Sequence, residues 1–132
     1  MNVVVPEYQT FLQVKIDSRR AALVVVDMQA DFVGPKGNLR VPDARKTIPK
    51  IVHLISEARN AKCPIFFTQD WHRPDDPEFA LWPLHAVAGT PGARVVARLK
   101  PLATDYFIHK KTYDAFFATE FDLILRQKGI RT

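Results

Sequence analysis

The chain has 132 residues, 47% of them hydrophobic, and its 19 basic and 14 acidic side chains give a net charge of +5. This size and composition indicate one globular domain or part of one. The basic residues form scattered pairs without interleaved aromatics, which argues against a nucleic-acid partner, and a single cysteine excludes an internal disulfide framework.

The first twenty residues are mixed in character, and we expect them to form an N-terminal extension that packs on the domain or on a partner subunit. The opening apolar run lacks basic residues and is broken by Pro6, so it is not a signal peptide. No apolar stretch reaches the length of a membrane span. Together with the single cysteine, this predicts a cytoplasmic protein without a membrane partner.

Residues 21–26 form a continuous apolar run that ends in three β-branched valines, which predicts a central parallel strand buried on both faces. Asp27 follows directly and should lie at the carboxyl end of this strand. Ligand sites of parallel sheets lie at that edge, so Asp27 is a candidate for chemistry. From its position alone, a helix cap or turn former is an equal alternative.

A helix should follow, with Thr47 as its N-cap and Pro49 in its first turn. Cys63 then opens the next strand at its amino end. It should lie roughly 15–20 Å from Asp27, the length of a strand, so we interpret it as a small core residue and not as a nucleophile. The helix should face the core through an apolar stripe at helical spacing: Ile48, Ile51, Val52, Ile55 and Ala58.

Residues 65–67 predict a second buried strand, and the stretch that leaves it carries Asp70 and His72. Two residues apart on an extended backbone, these side chains project from one face. The loop that follows brings in His85. One carboxylate and two imidazoles are a common ligand set for a metal that keeps an open coordination position. Ordinary hydrogen-bonding roles for all three residues are the alternative at this point.

Residues 106–110 predict a third strand that delivers Lys110 to its carboxyl end, although a solvated strand exit is the usual position of a lysine. A last helix should begin at Thr119, with Asp122 completing a capping box, and end at Gly129. Residues 130–132 should lead into a further strand. Strands alternating with helices predict a three-layer α/β/α fold with a doubly wound, mainly parallel sheet.

Four motifs in this order resemble the isochorismatase-like cysteine hydrolases and, within them, the nicotinamidases. They are residues 24–32 (VVVDMQADF), 68–74 (TQDWHRP), 82–93 (WPLHAVAGTPGA) and 110–116 (KKTYDAF). The resemblance covers residues 21–132, which we therefore take as the hydrolase domain. It implies an Asp-Lys-Cys triad with Asp27 as general base and Lys110 as the cation. Lys110 is preferred to Lys111 because the family lysine stands three residues before the tyrosine, here Tyr113.

The same resemblance implies that Asp70, His72 and His85 bind zinc or iron. It also implies that Phe32 and Trp82 are candidates to wall the substrate pocket. Two departures concern the substrate: residues 75–76 are both aspartates where many nicotinamidases have a further histidine, and Asp114 replaces a common serine.

The implied function is hydrolysis of a small amide, nicotinamide foremost, by a homo-oligomeric enzyme. The family's nucleophilic cysteine is expected about a dozen residues beyond Thr132, after one more strand, which makes this chain the amino-terminal part of a longer hydrolase. Three alternatives stay open: another small amide or a vinyl ether as substrate, a hydrolase that uses metal-activated water, and a non-catalytic folding or dimerisation unit.

Overall fold

The structure is a computed structural model, and it describes residues 13–132. Its centre is a sheet of three parallel strands in the order β1-β2-β3, with the bounds Leu23–Val26, Ile65–Asp70 and Tyr106–Lys110. The three predicted strands and their common direction are confirmed. Residues 1–12 of the predicted N-terminal extension lie outside the described residues, whereas residues 13–20 are largely exposed.

In the described part of the chain, three helices accompany the sheet: α1 (Ala30–Val33), α2 (Ile48–Asn60) and α3 (Phe121–Gln127). Short 3₁₀ turns occupy Ala44–Thr47, Pro77–Ala80 and Ala97–Leu99. Within residues 13–132, no helix combines the length and hydrophobicity that crossing a bilayer would require.

Helix α2 covers one face of the sheet with its predicted apolar stripe. Ile48, Ile55 and Ala58 are buried, whereas Ile51 is half-buried and Val52 is exposed. Each large aliphatic side chain fully buried in this way stabilises the fold by about 1.5–3 kcal/mol. The remaining buried members of this core are Val25, Met28, Val33, Ile65, Phe67 and Leu99.

Helix α3 packs on the opposite face. Its Phe121 is buried against Phe66 and Ile108, and Ile124 and Leu125 extend the contact as predicted. Helices therefore lie on both faces of the sheet, which confirms the three-layer α/β/α arrangement for the described part of the chain.

Both predicted threonine caps differ from the structure. The Thr47 side chain makes no cap hydrogen bond, since a 3₁₀ turn precedes α2 and the hydroxyl donates to the Ala44 carbonyl at 2.7 Å. Helix α3 begins later than predicted, after Glu120, although the Thr119 hydroxyl does accept from the Phe121 amide at 3.2 Å. The predicted end is confirmed, because Gly129 adopts the left-handed φ of +65° that favours glycine.

The prediction that the first strand is buried on both faces is wrong. Val25 points into the core under α2, but Val24 is 37% exposed and Val26 is 62% exposed. Strand β1 lies at an edge of the described sheet, and α3 packs over β2 and β3 instead. A run of valines signals hydrophobicity but does not say which neighbour covers each face.

The last residues run beside the start of β1. The Ala22 amide donates to the Thr132 carbonyl at 2.9 Å, and the Thr132 amide donates to the Arg20 carbonyl at 3.1 Å. These two bonds form one rung of a parallel ladder on the outer edge of β1. The expectation that residues 130–132 lead into a strand agrees with this placement.

Candidate active site

The three strands deliver charged side chains to one edge of the sheet. Asp27 directly follows β1, Asp70 is the last residue of β2 and Lys110 is the last residue of β3. The register pairs Asp70 with Lys110 across neighbouring strands. Because the strands are parallel, all three residues lie at the carboxyl edge, as the sequence predicts.

Lys110 is a buried cation between two carboxylates. Its side chain is 2% exposed, and its Nζ lies 3.0 Å from Asp27 Oδ2 and also contacts Asp70 Oδ1. Burial lowers the pKa of Lys110, but the hydrogen bonds to Asp70 and Asp27 outweigh burial and raise that pKa above its ordinary value. Lys110 therefore stays an ammonium ion and holds the ends of three strands together.

Asp27 is held in an uncommon backbone conformation. Its φ is +52°, in the left-handed region that few non-glycine residues adopt. The Thr68 hydroxyl donates to Asp27 Oδ1 at 2.6 Å, which leaves Oδ2 to face Lys110. The Asp27 side chain is 27% exposed, so it remains accessible to solvent. Asp27 does not cap helix α1, whose N-cap is Gln29, so the capping half of the alternative fails. The turn-forming half agrees with the structure, because Asp27 has a left-handed φ and its carbonyl accepts from the Gln29 amide at 2.8 Å.

His72 places one ring nitrogen inside the site. Its Nδ1 lies 3.1 Å from Asp76 Oδ2, while its Nε2 is buried with no hydrogen-bond partner among the described residues. That Nε2 lies 3.9 Å from Asp70 Oδ2. The pKa of Asp76 is lowered, first by the hydrogen bond from the Glu78 amide and second by His72, so Asp76 is a carboxylate that accepts from Nδ1.

His85 approaches from the loop on the other side. The backbone of His72 bridges to this loop, accepting from Ala88 at 2.9 Å and donating to Ala86 at 3.1 Å. The His85 Nδ1 lies 2.6 Å from the Pro83 carbonyl and donates to it, which leaves Nε2 as an acceptor. The His72 and His85 rings lie 5.0 Å apart between centroids.

These residues satisfy the chemical requirements of a metal site. Ligand atoms of Asp70, His72 and His85 all lie within 4.8 Å of one another, and all three residues are buried. Each imidazole has its Nδ1 engaged, so Nε2 is available for coordination. Burying an imidazole nitrogen without a hydrogen-bond partner lowers the stability of the fold unless a ligand binds it. One carboxylate and two imidazoles are a ligand set that suits zinc or ferrous iron.

Of the two aromatic residues predicted to wall the substrate pocket, Phe32 lies beside the histidines and Trp82 does not. Phe32 packs against His85 with ring centroids 5.5 Å apart. Trp82 is 46% exposed, and within residues 13–132 it makes no ring contact with either histidine. Phe79 takes that place, meeting His72 and His85 edge-on at 5.5 Å each. The sequence analysis did not single out Phe79, because an aromatic residue in a loop carries no periodicity.

Two buried polar residues near α1 hold the site together, and the sequence analysis missed both. The Gln29 side chain donates to the Asp70 carbonyl and accepts from the Asp70 amide, each at 2.8 Å. The Asp31 carboxylate accepts from the Ala86 amide at 2.8 Å, next to His85. Gly92 packs so closely on Asp31 that a Cβ there would overlap the carboxylate.

Cys63 lies at the other end of the sheet. It precedes β2, and its Sγ contacts the Ser18 carbonyl at 3.4 Å. As predicted from the sequence, it is separated from Asp70 by the whole length of β2.

Comparison with known proteins gives a consistent result. The model of the isochorismatase domain matches residues 21–132. The nicotinamidase of Saccharomyces cerevisiae is 31% identical over a match that covers 74% of this chain and 57% of that protein. Two solved structures are similar in fold. N-carbamoylsarcosine amidase from Thermoplasma acidophilum is 39% identical with a TM-score of 0.77, and the match covers 86% of this chain and 64% of that one. The pyrazinamidase of Pyrococcus horikoshii in complex with zinc is 35% identical with a TM-score of 0.79, and the match covers 85% of this chain and 66% of that one.

The chain thus spans about three fifths of the length of these relatives. The matched portion contains every residue of the candidate site described above.

Proposed function

This chain belongs to the isochorismatase family, and from that premise we propose that it forms part of a hydrolase of small amides, with nicotinamide as the first candidate substrate. The observation that carries the proposal is the buried Lys110 between Asp27 and Asp70 at the carboxyl edge. A cation and an accessible carboxylate at 3.0 Å are the two groups that activate a neighbouring thiol.

In the proposed reaction Asp27 is the general base and Lys110 the stabilising cation. A free thiol has a pKa near 8.5, so a thiol nucleophile needs both a proton acceptor and a positive charge to react at neutral pH. Asp27 takes the thiol proton, the sulfur attacks the amide carbon, and Asp27 returns the proton to the departing amine. Water then attacks the resulting thioester, giving the acid and the free thiol.

The nucleophile in this proposal is a cysteine outside the 132 residues, because Cys63 lies at the amino end of the sheet. To transfer its proton to Asp27 and to lie beside Lys110, that cysteine must reach the carboxyl edge of the sheet, where both side chains lie.

Asp70 and the Nε2 atoms of His72 and His85 would hold a zinc or iron ion, as their geometry and the zinc-containing pyrazinamidase relative support. Such an ion, when bound, supplies a Lewis-acidic centre that orients the substrate. Phe79 and Phe32 flank the two histidines and would limit the substrate to a small, flat molecule.

A second candidate is an amide other than nicotinamide. The similarity to N-carbamoylsarcosine amidase, at 39% identity, favours it, as do the aspartates at positions 75, 76 and 114. A cytoplasmic location and a homo-oligomeric state stay predictions.

The test is ammonia release by the full-length gene product from nicotinamide and from N-carbamoyl amino acids, in wild type and in Asp27→Asn. We expect Asp27→Asn to lower kcat by about 10²–10⁴-fold, the usual contribution of a general base. Asp43→Asn is the matched control, since Asp43 is exposed and also has a left-handed φ of +62°. No ammonia from any substrate, or equal activity in the two variants, would refute the proposal.

A further inference from the structure

Asp76 makes two different contacts with its two carboxylate oxygens. Oδ1 accepts from the Glu78 amide at 3.0 Å and so caps the 3₁₀ turn Pro77–Ala80. Oδ2 lies 3.1 Å from His72 Nδ1. One side chain therefore couples the backbone of the loop after β2 to the orientation of one imidazole.

The contact determines which ring nitrogen of His72 carries the proton. A carboxylate only accepts hydrogen bonds, so the imidazole must donate from Nδ1. A neutral imidazole then has a free lone pair on Nε2. That Nε2 is buried, has no partner among residues 13–132 and faces Asp70 at 3.9 Å.

The other tautomer of His72, with its proton on Nε2, would prevent metal binding at this site. A proton on Nε2 would point between Asp70 and His85 and would block coordination there. The ring cannot readily rotate to exchange its two nitrogens, because His72 is 2% exposed and is packed edge-on by Phe79 and His85. Something outside the ligand set must therefore choose the tautomer.

We propose that Asp76 is a positioning residue that holds His72 in the Nδ1–H tautomer and so presents Nε2 to a divalent metal bound by Asp70, His72 and His85. This inference rests on the metal site of the proposed function. In this proposal Asp76 does not bind the metal itself but accepts the hydrogen bond from Nδ1 of the ligand His72. His85 needs no such residue, since the Pro83 carbonyl accepts from its Nδ1.

Neighbouring Asp75 provides a matched control. It is bonded to Arg73 at 2.9 Å, and the two side chains are 71% and 74% exposed. Asp75→Asn and Asp76→Asn therefore make the same chemical change one residue apart. Asparagine caps helical turns as well as aspartate does, so Asp76→Asn keeps the cap on Pro77–Ala80. Its amide group, however, can donate to Nδ1 and admit the wrong tautomer.

The experiment measures two quantities on the full-length protein. Zinc affinity is measured by competition with a chromophoric chelator, and the His72 tautomer is measured from the ¹⁵N shifts of the metal-free imidazole. We expect Asp76→Asn to weaken zinc binding by about 10–100-fold, the usual effect of losing an outer hydrogen bond to a metal-bound histidine. We also expect it to populate the Nε2–H form, whereas Asp75→Asn changes neither quantity.

Unchanged zinc affinity together with an unchanged tautomer in Asp76→Asn would overturn the proposal. If wild-type protein binds no zinc, the metal site itself fails, and the tautomer measurement alone then decides the role of Asp76. If Asp76→Asn does not fold, Asp76→Ser replaces it, since serine retains a capping oxygen but is too short to reach His72.

Discussion

Both ends of strand β3 carry buried charged side chains, but cations and carboxylates are equal in number at only one end. At the amino end, Asp105 precedes the strand and receives two hydrogen bonds from the Arg59 guanidinium, at 3.0 and 2.8 Å. At the carboxyl end, Lys110 is shared by Asp27 and Asp70. The first end has one cation for one carboxylate, whereas the second has one cation for two.

The imbalance distinguishes a structural ion pair at the amino end from the proposed catalytic site at the carboxyl end. Arg59 is 30% exposed and spans from α2 to the start of β3, so its pair ties two elements together. The carboxyl end keeps excess negative charge, a strained Asp27 backbone and a partnerless His72 Nε2. Groups left unsatisfied in this way are costly in a folded protein and are retained where a ligand or a reaction uses them.

The largest expected effect is on stability when Lys110 is removed. Lys110→Met leaves two carboxylates facing each other in a buried place, and we expect a loss of about 3–5 kcal/mol in the free energy of unfolding. Arg59→Met should lose less, about 1–3 kcal/mol, because only one carboxylate loses its cation and Asp105 keeps the hydrogen bond from the Leu102 amide at 2.8 Å. Urea denaturation measures both, with exposed Lys111→Met as control. Equal losses at the two ends would remove the distinction between them.

A smaller loss is expected in the loop that carries His85. Gly92→Ala places a methyl group on the Asp31 carboxylate and should disturb its hydrogen bond to Ala86, at a cost of about 1–3 kcal/mol. Gly89→Asn is the control, because no atom lies within 4 Å of a Cβ there and asparagine tolerates its left-handed φ of +79°. Thermal melts compare the two variants. A Gly92→Ala protein as stable as Gly89→Asn would mean that Asp31 does not clamp this loop.

Thr68→Val should reduce activity moderately, because it removes a hydrogen bond that orients Asp27. Valine preserves the shape of the side chain but removes the 2.6 Å hydrogen bond to Asp27 Oδ1, which contributes about 1–3 kcal/mol when its acceptor is charged. We expect a lower kcat with little change in KM, because the lost hydrogen bond orients Asp27, the proposed general base of the chemical step. Steady-state kinetics of the full-length protein measure kcat and KM separately. A change confined to KM would contradict this prediction.

The smallest expected effect is that of pH near neutrality. The folded pKa of Lys110 is raised above its ordinary value of 10.5, so the stability that Lys110 contributes is fully present below that value. It is lost only as pH rises through the folded pKa. The difference in unfolding free energy between wild type and Lys110→Met should therefore stay constant between about pH 7 and 9. A difference that shrinks within that range would mean that Lys110 is neutral there.

The sequence was sufficient to predict the sheet and the charged residues at its edge. Apolar runs locate the strands, and parallel strands bring their carboxyl ends together, so Asp27, Asp70 and Lys110 could be placed near one another. Burial of β1 could not be predicted, because a run of valines does not identify the element that covers Val24 and Val26.

The contacts that orient the site depend on residues far apart in the chain. Thr68 reaches Asp27 across 41 residues, and Asp31 reaches Ala86 across 55. No local pattern marks such pairs, which exist only once the strands are in register and the loops are closed. Asp76 is close in sequence to His72, but its direction depends on the turn that it caps. These residues became visible only in the folded structure.

The contrast between the two ends of β3 is tested most directly by turnover of the full-length protein in Lys110→Met and Arg59→Met. Both substitutions replace an ion-paired cation with the same neutral side chain, and both variants are assayed at a temperature where they are folded. We predict that Lys110→Met lowers kcat/KM for the best amide substrate by at least about 10²-fold, whereas Arg59→Met keeps the wild-type value. Equal losses in the two variants, or full activity in Lys110→Met, would contradict the assignment of the carboxyl edge as the active site.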